Sequence, residues 1–162
     1  MQLTIVRTLA LTIAVAFAGI AQAQQPTGYG PPISLDMAKK AMAGAEAEAA
    51  KNNFNMVITI LDSGGRMVMM HRMDNALLAS ISVSEGKAHT AVGFRRPSKA
   101  VEDGIAGGGV GLRSLSVHGE GVFVQGGLPI VADGKVIGAI GASGGTSQQD
   151  EQVAQAGLDA LK

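Results

Sequence analysis

Asp62 to Ala91, D-S-G-G-R-M-V-M-M-H-R-M-D-N-A-L-L-A-S-I-S-V-S-E-G-K-A-H-T-A, decides how the chain is read. Asp62-Ser63-Gly64-Gly65 tolerates positive φ and reverses the chain between two runs of strand character. Before the turn, Asn55 to Leu61 is short and β-branched, with Met56, Ile58 and Ile60 on one face and Val57, Thr59 and Leu61 on the other. Both faces are apolar, so layers on both sides are predicted. After the turn, Arg66 to Met73 pairs back as the second strand of a hairpin. Alternation places Met67, Met69, His71 and Met73 on one face and Arg66, Val68, Met70 and Arg72 on the other. Asp74-Asn75 ends the strand. From about Leu78 to Phe94 the pattern is helical, with Ile81, Ala88, Ala91 and Val92 toward the core. Ser82, Ser84, Gly86 and Ala88 are small enough to bring this helix close to a sheet. Gly86 costs about 1 kcal/mol in a helix interior, so close packing or a ligand must offset it.

Downstream, Arg95-Arg96-Pro97-Ser98 stops the helix and starts a short one through Glu102, and Gly104 to Gly111 forms a flexible connector. Gly121 to Val124, Leu128 to Ala132 and Lys135 to Ala142 are predicted as short strands, with Asp133-Gly134 as a hairpin turn and Pro129 marking an edge. The last of them, K-V-I-G-A-I-G-A, is interrupted by glycines, as a tightly packed neighbour requires. Thr146 to Gln149 fits a capping box for a closing helix lined by Val153, Ala156, Leu158 and Leu161. Upstream, Ser34 N-caps a helix running to about Lys51. The order α-β-β-α-α-β-β-β-α is that of an α+β fold: an antiparallel sheet of about five strands with helices packed on it.

Residues 1–23 have the form of an export signal, with Arg7, an apolar run from Leu9 to Ile20, and a small-x-small site at Ala21-Gln22-Ala23. The run is shorter than the roughly 20 residues that span a bilayer. An exported chain, periplasmic or secreted, with no membrane span after cleavage is expected. Removing 23 of 162 residues leaves 139, a usual length for one domain, and removing Arg7 leaves 12 basic against 13 acidic groups. With no basic stripe, a nucleic-acid partner is not indicated. Residues 24–33, ending in Q-Q-P-T-G-Y-G-P-P-I, are expected to form a flexible leader before a single domain over 34–162. The absence of cysteine excludes thiolate zinc sites, c-type haem attachment and stapling by disulfides. Only Tyr29, Phe54, Phe94 and Phe123 remain as aromatics, so Ala, Val, Ile, Leu and Met must fill the core.

Three groupings could carry chemistry. His71 stands with Met67, Met69 and Met73, an imidazole–thioether set suited to haem iron or Cu(I); equally, methionines fill irregular cores. Glu85 and His89 are spaced i, i+4, which presents two ligands to one metal or forms a surface ion pair. Lys87 and Thr90 are spaced i, i+3, where a cation and a hydroxyl can hold a carboxylate or propionate, or Lys87 is simply a surface lysine. His118-Gly119-Glu120 lies on a loop and is expected to be solvated. The run 104–111 lacks the G-x-G-x-x-G spacing, and there is no G-x-S-x-G, H-E-x-x-H or cysteine nucleophile.

The pieces D-S-G-G-R at 62–66, H-R-M-D-N-A at 71–76, E-G-K-A-H-T-A at 85–91, F-R-R-P-S-K at 94–99, G-G-L-P-I at 126–130 and V-I-G-A-I-G-A-S-G at 136–144 resemble, in that order, the GlcG/HbpS-like haem-binding family. The C-terminal domain of PduO-type adenosyltransferases belongs to the same group. The likeness covers about Ser34 to Lys162. It implies a profilin-like layered domain, assembly as a homo-oligomer and, for exported members, haem binding tied in some to iron or redox sensing. Arg72, Asp74, Lys87, Thr90 and 126–130 match the family's recurring pattern; they could equally maintain the fold, with Asp74 as a helix cap and Arg72 paired to it. The resulting expectation is an exported haem-binding protein without a catalytic cycle of its own. His71 is the first-choice axial ligand, His89 or Met73 the next, and Arg72 and Lys87 neutralise propionates. The alternatives are an enzyme or accessory protein acting on a small hydroxy- or keto-acid, and a Met/His binder of copper or iron.

Overall fold

A computed structural model describes residues 28–117 and 119–162. The expected signal over 1–23, and His118, lie outside the described residues. The elements in order are β1 (Gly28–Tyr29), α1 (Leu35–Lys51), β2 (Val57–Asp62), β3 (Met67–Arg72), α2 (Ala79–Phe94), α3 (Ser98–Ala106), a 3₁₀ helix (Gly109–Val117), β4 (Gly127–Ala132), β5 (Lys135–Ser143) and α4 (Ser147–Asp159). The class is α+β, and the five-stranded sheet is mostly antiparallel. β5 is central. It pairs antiparallel with β2 over Gly138–Ser143 and with β4 along most of its length, while β3 completes the β2 hairpin at one edge. β1 runs parallel to the first two residues of β5. Because Lys135 and Val136 pair with β1 and with β4, these two strands flank opposite sides of β5. Pro129 sits in β4, which pairs with β5 alone, as an edge strand permits.

The faces of β2 divide as its alternation predicts. Met56, Ile58 and Ile60 join the larger core with Met42, Ala45 and Ala49 of α1 and Val153 and Ala154 of α4. Leu61 packs instead with Ala88, Ala91 and Val92 of α2. The sheet is therefore sandwiched, with α1 and α4 on one face and α2 on the other. Burying each of the Val, Leu, Ile and Met side chains in these layers stabilises the fold by roughly 1.5–3 kcal/mol. Gln152 of α4 donates to Glu48 of α1 at 2.6 Å, and this bond, with a second from Asn52, holds the Glu48 carboxyl below its ordinary range.

Four expectations are corrected. The fifth strand is Gly28–Tyr29, in the segment expected to be loose: Gly30 and Ile33 donate backbone N–H groups to Val136 and Ile137 of β5 at 2.8 Å each, and Ile33 is buried. Gly121–Val124 is not a strand, because its backbone groups bond to α2 and α3: Val122 N–H donates to Gly86 O, and Val124 O accepts from the Ser98 hydroxyl. The glycine run 104–111 is not a bare connector either, since α3 continues to Ala106 and the 3₁₀ helix begins at Gly109. In β3, a register shift at Ile60/Leu61 places Met67 opposite Leu61 while Met69 and His71 stay opposite Ile60 and Ile58. Cross-strand partners share a face. Met67 is thus turned away from the side holding Met69 and His71, and the expected Met–His stripe is broken.

Glycines in the sheet let α2 sit against it. A side chain at Gly141 would overlap the Ser84 carbonyl oxygen, and one at Gly127 would overlap that of Lys87. Lys87 is therefore pressed onto the start of β4, and its side chain is among the largest that are fully buried. Its ammonium donates to Asp150 Oδ2 at 2.6 Å and to Ala142 O at 3.2 Å. The second carboxylate oxygen of Asp150 accepts the Gly145 N–H at 2.9 Å. Asp150 lies in the first turn of α4, where a negative charge suits the helix dipole, behind a complete capping box from Thr146 and Gln149. This ion pair joins the helical layers on opposite faces of the sheet.

Lys87→Met or Asp150→Ala alone leaves one charge buried without its partner, so each should lower unfolding free energy by roughly 3–5 kcal/mol in guanidinium titrations. Lys87→Met with Asp150→Leu should recover much of that loss. Single variants as stable as the wild type would show that the pair contributes nothing. Gly141→Ala should lower stability by roughly 1–3 kcal/mol through overpacking against α2, read as a fall in melting temperature.

Candidate functional site

The residues singled out in the sequence do not converge. His71 faces α1, where its Nδ1 lies 2.7 Å from Glu46 Oε1, and it is 44% exposed. Lys87, His89 and Thr90 belong to α2 on the other face of the sheet. His71 and His89 therefore cannot ligate one metal between them. Met69 and Met73 pack against the larger core. Arg72 and Asp74 are exposed and form no ion pair with each other. Nor does Asp74 cap α2, whose N-cap position is Leu78 and carries no side-chain cap. The expected carboxylate or propionate clamp is also overturned. The Lys87 ammonium is committed to Asp150, and the Thr90 hydroxyl, buried, donates toward Gly86 O at 3.0 Å and Val122 O at 2.9 Å. Both groups serve packing because α2 lies too close to its neighbours to leave them a free surface.

His89 remains. It is on the flank of α2, one position past Ala88, which faces the sheet, and its side chain is 17% exposed. It borders two openings. The smaller, about 230 Å³, has Ser82, Glu85, Gly86 and Glu120 around it. The larger, about 360 Å³, lies between α2 and the β2–β3 turn and is lined by Tyr29, Gly64, Gly65, Val92 and Gly93 as well as His89. The Nδ1–Cε1 edge of the imidazole faces Gly65, whose absent side chain would stand 3.7 Å from Nδ1. Nε2 faces the opposite way, 3.4 Å from Glu120 Oε2 and 4.0 Å from Glu85 Oε1. The i, i+4 pair foreseen in the sequence is thus present but loose, and a second carboxylate, that of Glu120, comes closer.

Tyr29 forms the far wall of the larger opening. Its hydroxyl donates to Val92 O at 2.9 Å and Gly93 O at 3.2 Å, tying β1 to the end of α2. Arg95, the left-handed C-cap of α2, places its guanidinium carbon 5.6 Å from the centre of the Tyr29 ring. An imidazole nitrogen, three glycines that leave room for a flat molecule and an apolar Val92 wall make a shallow cleft, and the Arg95 guanidinium lies over the Tyr29 ring that forms its far side. Among the described residues no group of three or more His, Cys, Asp or Glu side chains is arranged to hold a metal ion. Sequence reasoning found His89, set Glu120 aside as part of a solvated loop, and missed Tyr29 and Arg95. The one visible signal was a lone tyrosine in a leader of glycine and proline.

The comparisons with known proteins agree with this architecture. GlcG of Escherichia coli K12 is 36% identical over 111 residues, covering 68% of this chain and 81% of GlcG. The crystal structure of a PduOC–haem complex matches with a TM-score of 0.73 at 30% identity, over 80% of this chain and 94% of that one. A double-mutant HbpS from Streptomyces reticuli matches with a TM-score of 0.76 at 26% identity, over 96% and 99%. No helix among the described residues is long and apolar enough to cross a membrane. The model of the family described as haem-degrading protein HbpS-like matches residues 33–159, and the chain belongs to that family.

Proposed function

We propose that this chain is an exported haem-binding protein that holds haem in the cleft between α2 and the β2–β3 turn, with His89 as the axial ligand. The observation that carries the reading is the position of His89: a largely enclosed imidazole that borders two openings beside α2. His71, favoured by the sequence, is a more exposed group paired to Glu46 on the other face. The family supports haem as the ligand, since a related domain is known as a haem complex.

The donor set fits. Among the described residues no group of three or more His, Cys, Asp or Glu is arranged to hold a bare ion, whereas iron in a porphyrin brings its equatorial nitrogens with it and needs only an imidazole from the protein. When bound, haem supplies an iron centre for ligand binding or electron transfer. Gly64, Gly65 and Gly93 keep the approach to His89 open, Val92 excludes water from one side, and Arg95 offers a guanidinium to a propionate in the role expected of Arg72 and Lys87. The cleft is at the small end of the roughly 300–1,000 Å³ range of ligand pockets, so it encloses only part of a haem. A homo-oligomer would cover the rest, and Leu77 and Leu78, exposed beside the start of α2, suit such an association.

Titrating the processed protein with hemin should give a Soret shift that is lost in His89→Ala and retained in His71→Ala. The reverse pattern would return the ligand to β3, and no shift in the wild type would end the haem reading. Expression in a bacterial host should yield exported protein beginning at Gln24, read by intact mass; full-length protein confined to the cytoplasm would exclude export.

A further inference from the structure

The segment from Glu120 to Gly127 is irregular, yet it is fastened to α2 and α3 at nearly every second residue. Val122 donates its N–H to Gly86 O at 2.9 Å and accepts from the Thr90 hydroxyl at 2.9 Å. Val124 O accepts from the Ser98 hydroxyl at 2.8 Å, Gln125 N–H donates to Glu102 Oε2 at 2.8 Å, and Gly127 N–H donates to Ser98 Oγ at 2.9 Å. Val122 also fills a notch in α2. A side chain at Gly86 would overlap Val122 Cγ2 and stand 3.1 Å from the Glu120 carbonyl oxygen. The helix-interior glycine is therefore the socket for this strap, less than one turn before His89.

We infer that the strap exists to carry Glu120 to His89, and that Glu120 is a positioning residue: its carboxylate accepts the proton of the imidazole nitrogen turned away from the cleft and leaves the other nitrogen unprotonated toward Gly65. Two observations carry this. Glu120 Oε2 lies 3.4 Å from His89 Nε2, nearer than Glu85 at 4.0 Å, and the Gly65 side of the ring is the side that opens on the cleft. A half-turn about the Cβ–Cγ bond would set Cε1 in the place of Nε2 and Cδ2 in the place of Nδ1, so only the orientation described puts a nitrogen against the Glu120 carboxylate. A neutral imidazole must choose a tautomer, and the carboxylate decides it. A histidine so held is a more basic and better-oriented donor to a metal, an effect worth about 10–100-fold in affinity where such partners have been removed. Ser82 and Glu85 complete the rim on that side, and the side chain of Glu120 is 79% exposed, so the strap, not burial, keeps it in place.

This inference rests on the haem reading at His89 for its purpose, but its first test needs no haem. In the ligand-free protein, nitrogen-15 NMR of the imidazoles at a pH where histidine is neutral should show one dominant tautomer for His89. Glu120→Gln should shift it toward a mixture, as should Gly86→Val, which displaces Val122; Glu120→Asp should restore part of the wild-type preference, and Glu85→Gln should change it little. In hemin titrations Glu120→Gln should bind about tenfold more weakly and raise the reduction midpoint of the bound iron, at unchanged melting temperature. An unchanged tautomer in Glu120→Gln, or a change in Glu85→Gln of the size expected for Glu120, overturns the assignment. If His89→Ala binds hemin as the wild type does, the haem site fails while the tautomer result still decides the role of Glu120.

Discussion

The ion pair between Lys87 and Asp150 is the constraint on which the arrangement depends. It is buried at both ends, at 2% and 4% side-chain exposure, and it connects a helix on one face of the sheet to a helix on the other. A lysine in such a place is tolerated only with a partner, because an unpaired buried charge is far more costly than the pair is beneficial. The pair fixes the rotation of α2 about its axis. With Lys87 aimed at Asp150 and with Ser84 and Ala88 seated on Gly141, the helix has no freedom left, and His89 must emerge on the flank beside the β2–β3 turn.

The same contact explains why the candidate site is small and one-sided. α2 lies so near the sheet that the groups along its inner face are used up in packing: Lys87 on Asp150, Thr90 on Gly86 and Val122, and Ser84 on Thr59 at 2.9 Å. Side chains on the outer flank, among them Ser82, Glu85 and His89, stay available to a ligand. The cleft next to them is walled by pieces distant in sequence, Tyr29 from β1 and Gly64-Gly65 from the hairpin turn, which meet there because β1 runs alongside β5 just beyond the end of β2. A flat ligand in that cleft would touch three elements, β1, the β2–β3 turn and α2, that are distant in sequence.

Much of the fold was legible because its signals are local. Alternation in β2, the Asp62–Gly65 and Asp133–Gly134 turns, the capping box at Thr146 and the small residues of α2 each act within a few positions, and each element formed near its expected bounds. The site was legible in part. His89 was named from its spacing, whereas the promise of His71 and its methionines rested on an unbroken alternation that one register shift undoes. Nothing near Lys87 in the chain foretold a carboxylate 63 residues away.

By itself, then, the sequence determined the hairpins, the helices, the two-sided covering of β2 and the family pattern, since periodicity and turn chemistry are properties of neighbours along the chain. Tertiary structure alone decided that the fifth strand comes from Gly28–Tyr29, that Gly121–Val124 is a strap and not a strand, and that Lys87 is internal. It also decided which imidazole borders a cleft. Those outcomes depend on backbone groups and charges finding partners across the molecule, and the competition among such partners is settled only when the layers close.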